Sequence, residues 1–514
     1  MHQPSRQERR REEFLRRKQA RREAARELRR RQAAQGLRPP PKATIENGKS
    51  AWQTIEEERQ ARQETTEGQL RVYRSVLPGL LKRLGKIPDP RNPKLIRHKL
   101  TVLMLYGILL FVFQMASRRE ANREMSLPMF LQNMQLLFPE LESLPHADTL
   151  NRLLARIDGN QIQESLIELL QQLIRNKKFS RYLISNGYPI AIDGTQKLKR
   201  DWLWAEQCLE RQVQSKQKDG TTATEPQFYV YILEAKLAFA NGMTIPLLSE
   251  FLDYNAGDQE TSKQDCEQKA FYRMAKRLKE YFPRLPILLL LDGLYADGPV
   301  VELCRRYRWE FMIVLQDKDL PSVWEEFRGL GQLECQNHLE RAWGNRKQRF
   351  RWVNKIEYRY GEQARKKQIL HVVICEESWE EIAANSLAVV QKRARHAWIS
   401  SAPLSRENVH ERCNLGARHR WGIEEGILVE KRHGYQYEHS YSYNWEAMRG
   451  FHFLMQIAHV LNILVENSAR LASMVRSRGL RGLVQFLRVT CSGSWLDATR
   501  IQQLLAWPCQ IRLE

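Results

Sequence analysis

The amino-acid sequence predicts an α/β fold: a mixed sheet with a β-rich insertion, preceded by an all-helical domain and followed by C-terminal helices. Three observations carry this. Apolar residues recur at helical spacing from Leu70 to about Gly187. After Tyr188, short apolar runs alternate with helical patterns, as in a sheet covered by helices. From about Pro321 to Arg395 the pattern turns to strand-like alternation.

Residues 1–68 are expected to form a basic, helix-prone arm and a Pro-rich linker. QERRREEFLRRKQARREAARELRRR holds little from which to build a core. It reads either as an arm that orders on a phosphate backbone or as a solvated charged helix. LRPPPKATIENGKS, Leu37–Ser50, is the linker, and a second polar, helix-prone stretch runs to about Gly68. Residues 69–187 form the helical domain, a candidate with the arm for DNA recognition. Its longest apolar run, TVLMLYGILLFVFQMA from Thr101 to Ala116, falls short of the ~20 residues of a bilayer span and reads as a buried helix. No membrane span is expected. IPDPRNP and LPHADT are turn signals, with Asp148 or Thr149 as the cap of the next helix.

Residues 188–320 open the α/β core. PIAID is a short strand ending in Asp193. FYVYILEAKLAFA, Asn241-Gly242 and MTIPLLSEF read as a hairpin, because Asn-Gly favours the tight turn that joins two twisted strands. A helix over Ser262–Tyr281, the strand PILLLLDG ending at Asp292, a helix over Gly298–Tyr307 and a strand over Trp309–Gln316 follow. Residues 321–395 are the β-rich insertion. There RFRWVNKIEYRY alternates Arg349, Arg351, Lys355 and Arg359 with Phe350, Trp352, Ile356, Tyr358 and Tyr360. One strand face is then positive and offers Arg349 and Arg351 to DNA; an edge strand covered with charge gives the same pattern. Residues 396–476 resume the core with HAWISS, the segment RWGIEEGILVEK and a strongly amphipathic helix from YNWEAMRG onward. Residues 477–514 are a C-terminal helical segment.

Composition narrows the partners. The 82 Lys and Arg against 60 Asp and Glu give a formal charge of +22, which favours a polyanion, nucleic acid first. The 8 cysteines are scattered without C-x-x-C, unlike a disulfide scaffold or zinc site, and fit a reducing cytosol. No secretory signal is expected at the N-terminus.

Three acids stand out by context: Asp193 and Asp292 after strands, and Glu424 on a later helix. Magnesium takes hard oxygen ligands, and two ions held by carboxylates can activate the attacking oxygen and stabilise the leaving one in phosphoryl transfer. On a helix, Arg420, Glu424, Ile427 and Lys431 fall within roughly 60° of one another, so Arg420 and Lys431 share a face with Glu424 and can clamp phosphate. Glu425 points elsewhere. Asp201, Asp297 and Glu425 are the neighbours most easily confused with the site; Asp297, before Gly298-Pro299, reads as a turn or cap residue.

This constellation resembles that of DDE transposases of bacterial cut-and-paste insertion sequences, whose catalytic domain is ribonuclease H-like with a β-rich insertion. AIDGTQ matches the context of the first catalytic Asp, ILLLLDGLYADG that of the second, and Arg420, Glu424 and Lys431 fit the signature Tyr-x2-Arg-x3-Glu-x6-Lys in register. Ala417 stands where that signature has Tyr. DPR, PHADT and YNWEAMRG also look like family flanks, and the likeness covers roughly residues 70 to 470. The resemblance implies a metal-dependent endonuclease and strand transferase with Asp193, Asp292 and Glu424 as catalytic metal ligands. It implies two Mg²⁺ ions, Mn²⁺ substituting, and double-stranded DNA (terminal inverted repeats and target) as partner. A homodimer in the synaptic complex and a cytoplasmic, nucleoid-associated location follow. A transposase-derived DNA-binding protein without chemistry, and a host nuclease of the same fold, are the alternatives.

Overall fold

A computed structural model describes residues 5–38, 45, 48–216, 222–256, 264–384 and 386–514. Most of the Leu37–Ser50 linker lies outside the described residues. The chain opens with two polar helix starts, each closed by a capping box. In α1 (Arg6–Ala34), Ser5 Oγ accepts from the Glu8 amide at 3.2 Å while the Glu8 carboxylate accepts from the Ser5 amide at 2.6 Å. Thr54 and Glu57 do the same for α2 (Ile55–Leu84). The polar stretch to about Gly68 and the apolar pattern from Leu70 share one helix: α2 runs through Gly68 and Pro78, and from Leu70 it carries an apolar face that packs inward.

There follow α3 (Leu100–Val112), α4 (Arg118–Glu124), α5 (Pro128–Leu137), α6 (Ala147–Leu154) and α7 (Gly159–Arg175). The cap of α6 is His146 rather than Asp148 or Thr149: its Nδ1 accepts from the Asp148 amide at 3.2 Å. Next come β1 (Tyr188–Arg200), β2 (Leu209–Lys216), β3 (Thr222–Ala238), β4 (Thr244–Phe251), α8 (Glu267–Tyr281) and β5 (Ile287–Leu291). Then α9 (Gly298–Tyr307), β6 (Glu310–Val314), α10 (Pro321–Leu333), β7 (His338–Trp343), β8 (Arg346–Tyr360), β9 (Lys366–Ile382) and β10 (Val389–Ser400) lead to α11 (Trp421–Arg432), α12 (Trp445–Glu466), α13 (Ala472–Cys491) and α14 (Ala498–Leu505). The class is mixed α/β with the helical region ahead of the strands.

The chain divides into two compact units, residues 1–43 with 291–417 and residues 44–290 with 418–514. In the larger unit, α2, α3, α6, α7 and α13 pack around α12. The approach is close where Gly107 leaves room: a Cβ there would sit 2.7 Å from Leu454 Cδ1 and 2.9 Å from Leu150 Cδ2. Among the described residues, α12 alone is long and apolar enough to cross a bilayer, yet every residue from Phe451 to Val465 is buried inside the protein. The amphipathic helix expected here forms, with its polar stripe as well as its apolar face turned inward.

The strands of this unit run β2-β3-β1-β5, with β4 also on β3. The predicted hairpin forms between β3 and β4, turning at Gly242 with φ +90°. β1 pairs antiparallel with β3 and parallel with β5. α11 lies against β1, β3 and β4, and α8 against β3 and β4.

In the smaller unit β6-β10-β9-β8-β7 form a run of strands, each antiparallel to the next. The β-rich expectation from Pro321 misses α10, which buries Val323, Trp324 and Phe327. α1 is tied down at its end: Arg31 pairs with Glu380 at 2.7 Å and Gln32 Nε2 donates to the Glu380 carbonyl at 3.1 Å. Most of the helix before Leu28 is exposed on every side.

Candidate functional site

Asp193 lies inside β1, not at a strand end. The strand continues to Arg200 because β3 runs beside it, with Arg200 opposite Phe228. Asp193 is half-buried and pairs in register with Glu234, so the two side chains project on one face of the sheet. The same face receives α12 and the segment after α11: Glu234 accepts from the Tyr437 hydroxyl at 2.9 Å and lies 3.4 Å from His452 Nε2.

Asp292 follows β5 directly and opens a short 3₁₀ turn, Gly293–Tyr295, its Oδ1 accepting from the Leu294 amide at 2.9 Å. The register of β1 on β5 sets Ala191 against Leu290, and each acid comes two residues after that pair.

Arg420 and Glu424 meet as the helical spacing requires, Nη2 to Oε1 at 3.1 Å. Arg420 sits in a 3₁₀ turn just ahead of α11, its side chain only 7% exposed against 41% for Glu424. Its guanidinium stacks 4.6 Å from the Trp421 ring, and its Nε and Nη1 are buried without a hydrogen-bond partner. Buried guanidinium donors left without acceptors fit an anionic ligand. Lys431 turns to Glu438 at 2.9 Å. Glu425 is exposed, and Ala417 is buried.

Arg349 and Arg351 project from β8, which lies between β7 and β9 rather than at an edge. Arg349 lies 3.6 Å from Glu340 and Arg351 3.2 Å from Glu376, so this face balances its positive charge with cross-strand acids. Asp297 is a cap, as expected: it accepts from the Val300 amide at 2.8 Å at the start of α9. Asp201 is an exposed bend residue after β1.

RWGIEEGILVEK holds a third glutamate, which its local context does not single out. Glu430 is fully buried, and its Oε1 accepts from Lys236 Nζ and from His459 Nδ1, both at 2.7 Å. Burial alone would raise its pKa, but the Lys236 ammonium and the His459 hydrogen bond bring it down to about 2. Nearby, burial pushes the Glu234 carboxyl up to about 7, against the pull of Lys236. Burial also lowers the Lys197 ammonium to about 8; its Nζ donates to the Tyr437 carbonyl at 2.9 Å. The legible signal was Gly422-x3-Gly426-x3-Glu430, a stripe that a helix places on one side.

Residues 81–170, from the end of α2 through most of α7, match the family model described as DDE_Tnp_1-associated. This sets the chain in the context of DDE-family transposases. No curated protein matches it. Among the described residues, no three or more His, Cys, Asp and Glu side chains are grouped closely enough to hold a metal ion. Asp193, Asp292 and Glu424 each offer carboxylate oxygen, the donor type that Mg²⁺ takes.

Proposed function

We propose that the protein is a metal-dependent DNA transposase, an endonuclease and strand transferase on a ribonuclease H-like core, which cleaves at the ends of its own element and joins the 3′ ends to target DNA. The observation that carries this is the match of residues 81–170 to a transposase-associated family, in a chain that holds Asp193 in β1 and Asp292 directly after β5. Asp193, Asp292 and Glu424 would hold the metal. Bound Mg²⁺, or Mn²⁺ in its place, supplies activation of the attacking oxygen and stabilisation of the leaving one. Arg420 offers its two unmatched donors to a phosphate oxygen, and Lys431 adds a point charge. Arg349 and Arg351 contact the DNA backbone by exchanging their carboxylate partners for phosphates. A homodimer pairs two element ends, and the chain acts in the cytoplasm, at the nucleoid.

Incubation with Mg²⁺ and a supercoiled plasmid carrying the element ends tests this. Joined products are expected; nicks without joining would indicate a hydrolytic nuclease, and binding alone a protein without chemistry. Asp193→Asn is expected to abolish cleavage and leave DNA binding intact. Arg420→Ala is expected to weaken cleavage more than Arg351→Ala, and equal losses would count against the phosphate role of Arg420.

A further inference from the structure

The buried charges beneath α11 have no part in the reaction just described, and stability alone does not call for them. Buried ion pairs are commonly matched or exceeded in stability by well-packed apolar residues, whereas a half-broken pair is costly. What such a pair supplies is direction. On α11 the sheet-facing stripe is Gly422, Gly426 and Glu430. A Cβ on Gly422 would lie 3.2 Å from Thr244 Oγ1, and one on Gly426 3.1 Å from Thr244 Cγ2, so the helix backbone presses close on the hairpin. One turn further on, Lys236 of β3 and His459 of α12 converge on a single Glu430 oxygen at 2.7 Å each. All three side chains are buried.

We propose that Lys236, Glu430 and His459 are positioning residues: a hydrogen-bonded latch that fixes the rotation and depth of α11 on the sheet, and so the direction in which Glu424 faces. Apolar packing lets a helix turn through small angles at little cost. Two bonds meeting on one carboxylate oxygen do not, because turning the helix would leave a buried charge unpaired. The latch also reaches the other acid of this unit. Lys236 is two residues from Glu234 on β3, and Glu234 is the register partner of Asp193. The strand that carries the latch is therefore the strand that flanks Asp193. This inference rests on the proposed role of Glu424.

The test uses the full chain with Lys236→Met combined with Glu430→Met, and Glu430→Gln alone as the conservative variant. Four readouts are taken: urea unfolding, DNA-end binding without metal, kcat and KM of Mg²⁺-dependent cleavage, and amide hydrogen exchange. The double variant is expected to unfold near the wild-type midpoint and bind the DNA end as the wild type does. Its kcat should fall about ten-fold with KM unchanged, and its α11 amides should exchange about ten-fold faster while those of α3 stay protected. Glu430→Gln should recover part of the lost kcat. A folded double variant with wild-type kcat and wild-type α11 protection overturns the latch. If the wild-type protein does not cleave, the transposase reading fails and α11 exchange alone decides the latch: faster exchange supports it, unchanged exchange overturns it. If the double variant does not fold, His459→Phe is judged by the same exchange criterion.

Discussion

Lys236–Glu430 and Arg351–Glu376 are the same kind of ion pair in opposite surroundings. The first is 2.7 Å long with both side chains 0% exposed; the second is 3.2 Å long with side chains 48% and 44% exposed. Water makes the difference. At the surface, high dielectric and salt leave such a pair little net value, and it can open to meet another ion. In the core neither partner can be solvated, so each depends on the other and the geometry becomes rigid. The lesson for this chain is that its exposed pairs can open at little cost, while its buried charges hold the elements that carry them in place.

The strongest way to break this comparison is truncation. Lys236→Ala is expected to cost about 3–5 kcal/mol in urea unfolding, by stranding Glu430, whereas Arg351→Ala is expected to cost under ~1 kcal/mol and less as salt rises. Equal losses would mean that burial does not set the value of these pairs. Glycines sharpen it on a smaller scale. Gly426→Leu drives a side chain into Thr244 and is expected to cost about 1–3 kcal/mol. Gly329→Ala, in α10 with no atom within 4 Å of the added Cβ, is expected to stabilise by about 0.5–1 kcal/mol in the same assay.

The pH dependence of unfolding probes the buried cluster more finely. Glu234 has its folded pKa raised from 4.5 to about 7, so the folded state holds the proton more tightly. Its contribution is full below 4.5 and is lost as pH rises through about 7. Glu430 is depressed from 4.5 to about 2; its contribution is full above 4.5 and is lost as pH falls through about 2. Glu234→Gln should therefore flatten the fall in the urea midpoint between mildly acid and neutral pH while leaving the acid limb. An unchanged upper limb would show that Glu234 does not carry it.

Sequence periodicity gave the helices and strands where local pattern decides them. Gly298–Tyr307 appears with the expected bounds, Asn241-Gly242 turns the hairpin, and Asp297 caps α9. It failed where a neighbour decides. β1 outruns Asp193 because β3 supports it. For the candidate site, the Arg420–Glu424 pair was legible because four residues make one helical turn, whatever else is nearby.

The sequence by itself determined which residues could form each element, which acids follow apolar runs and how Arg420 meets Glu424, since these depend on chain neighbours within a few residues. Only the tertiary structure decided what the polar stripe of α12 faces. His452, Gln456, His459 and Asn462 form that stripe, and all four are buried. Nothing local separates a side chain hydrated by water from one satisfied by a distant partner. Lys236 reaches Glu430 across 194 positions of sequence, and that meeting exists only once the chain has folded.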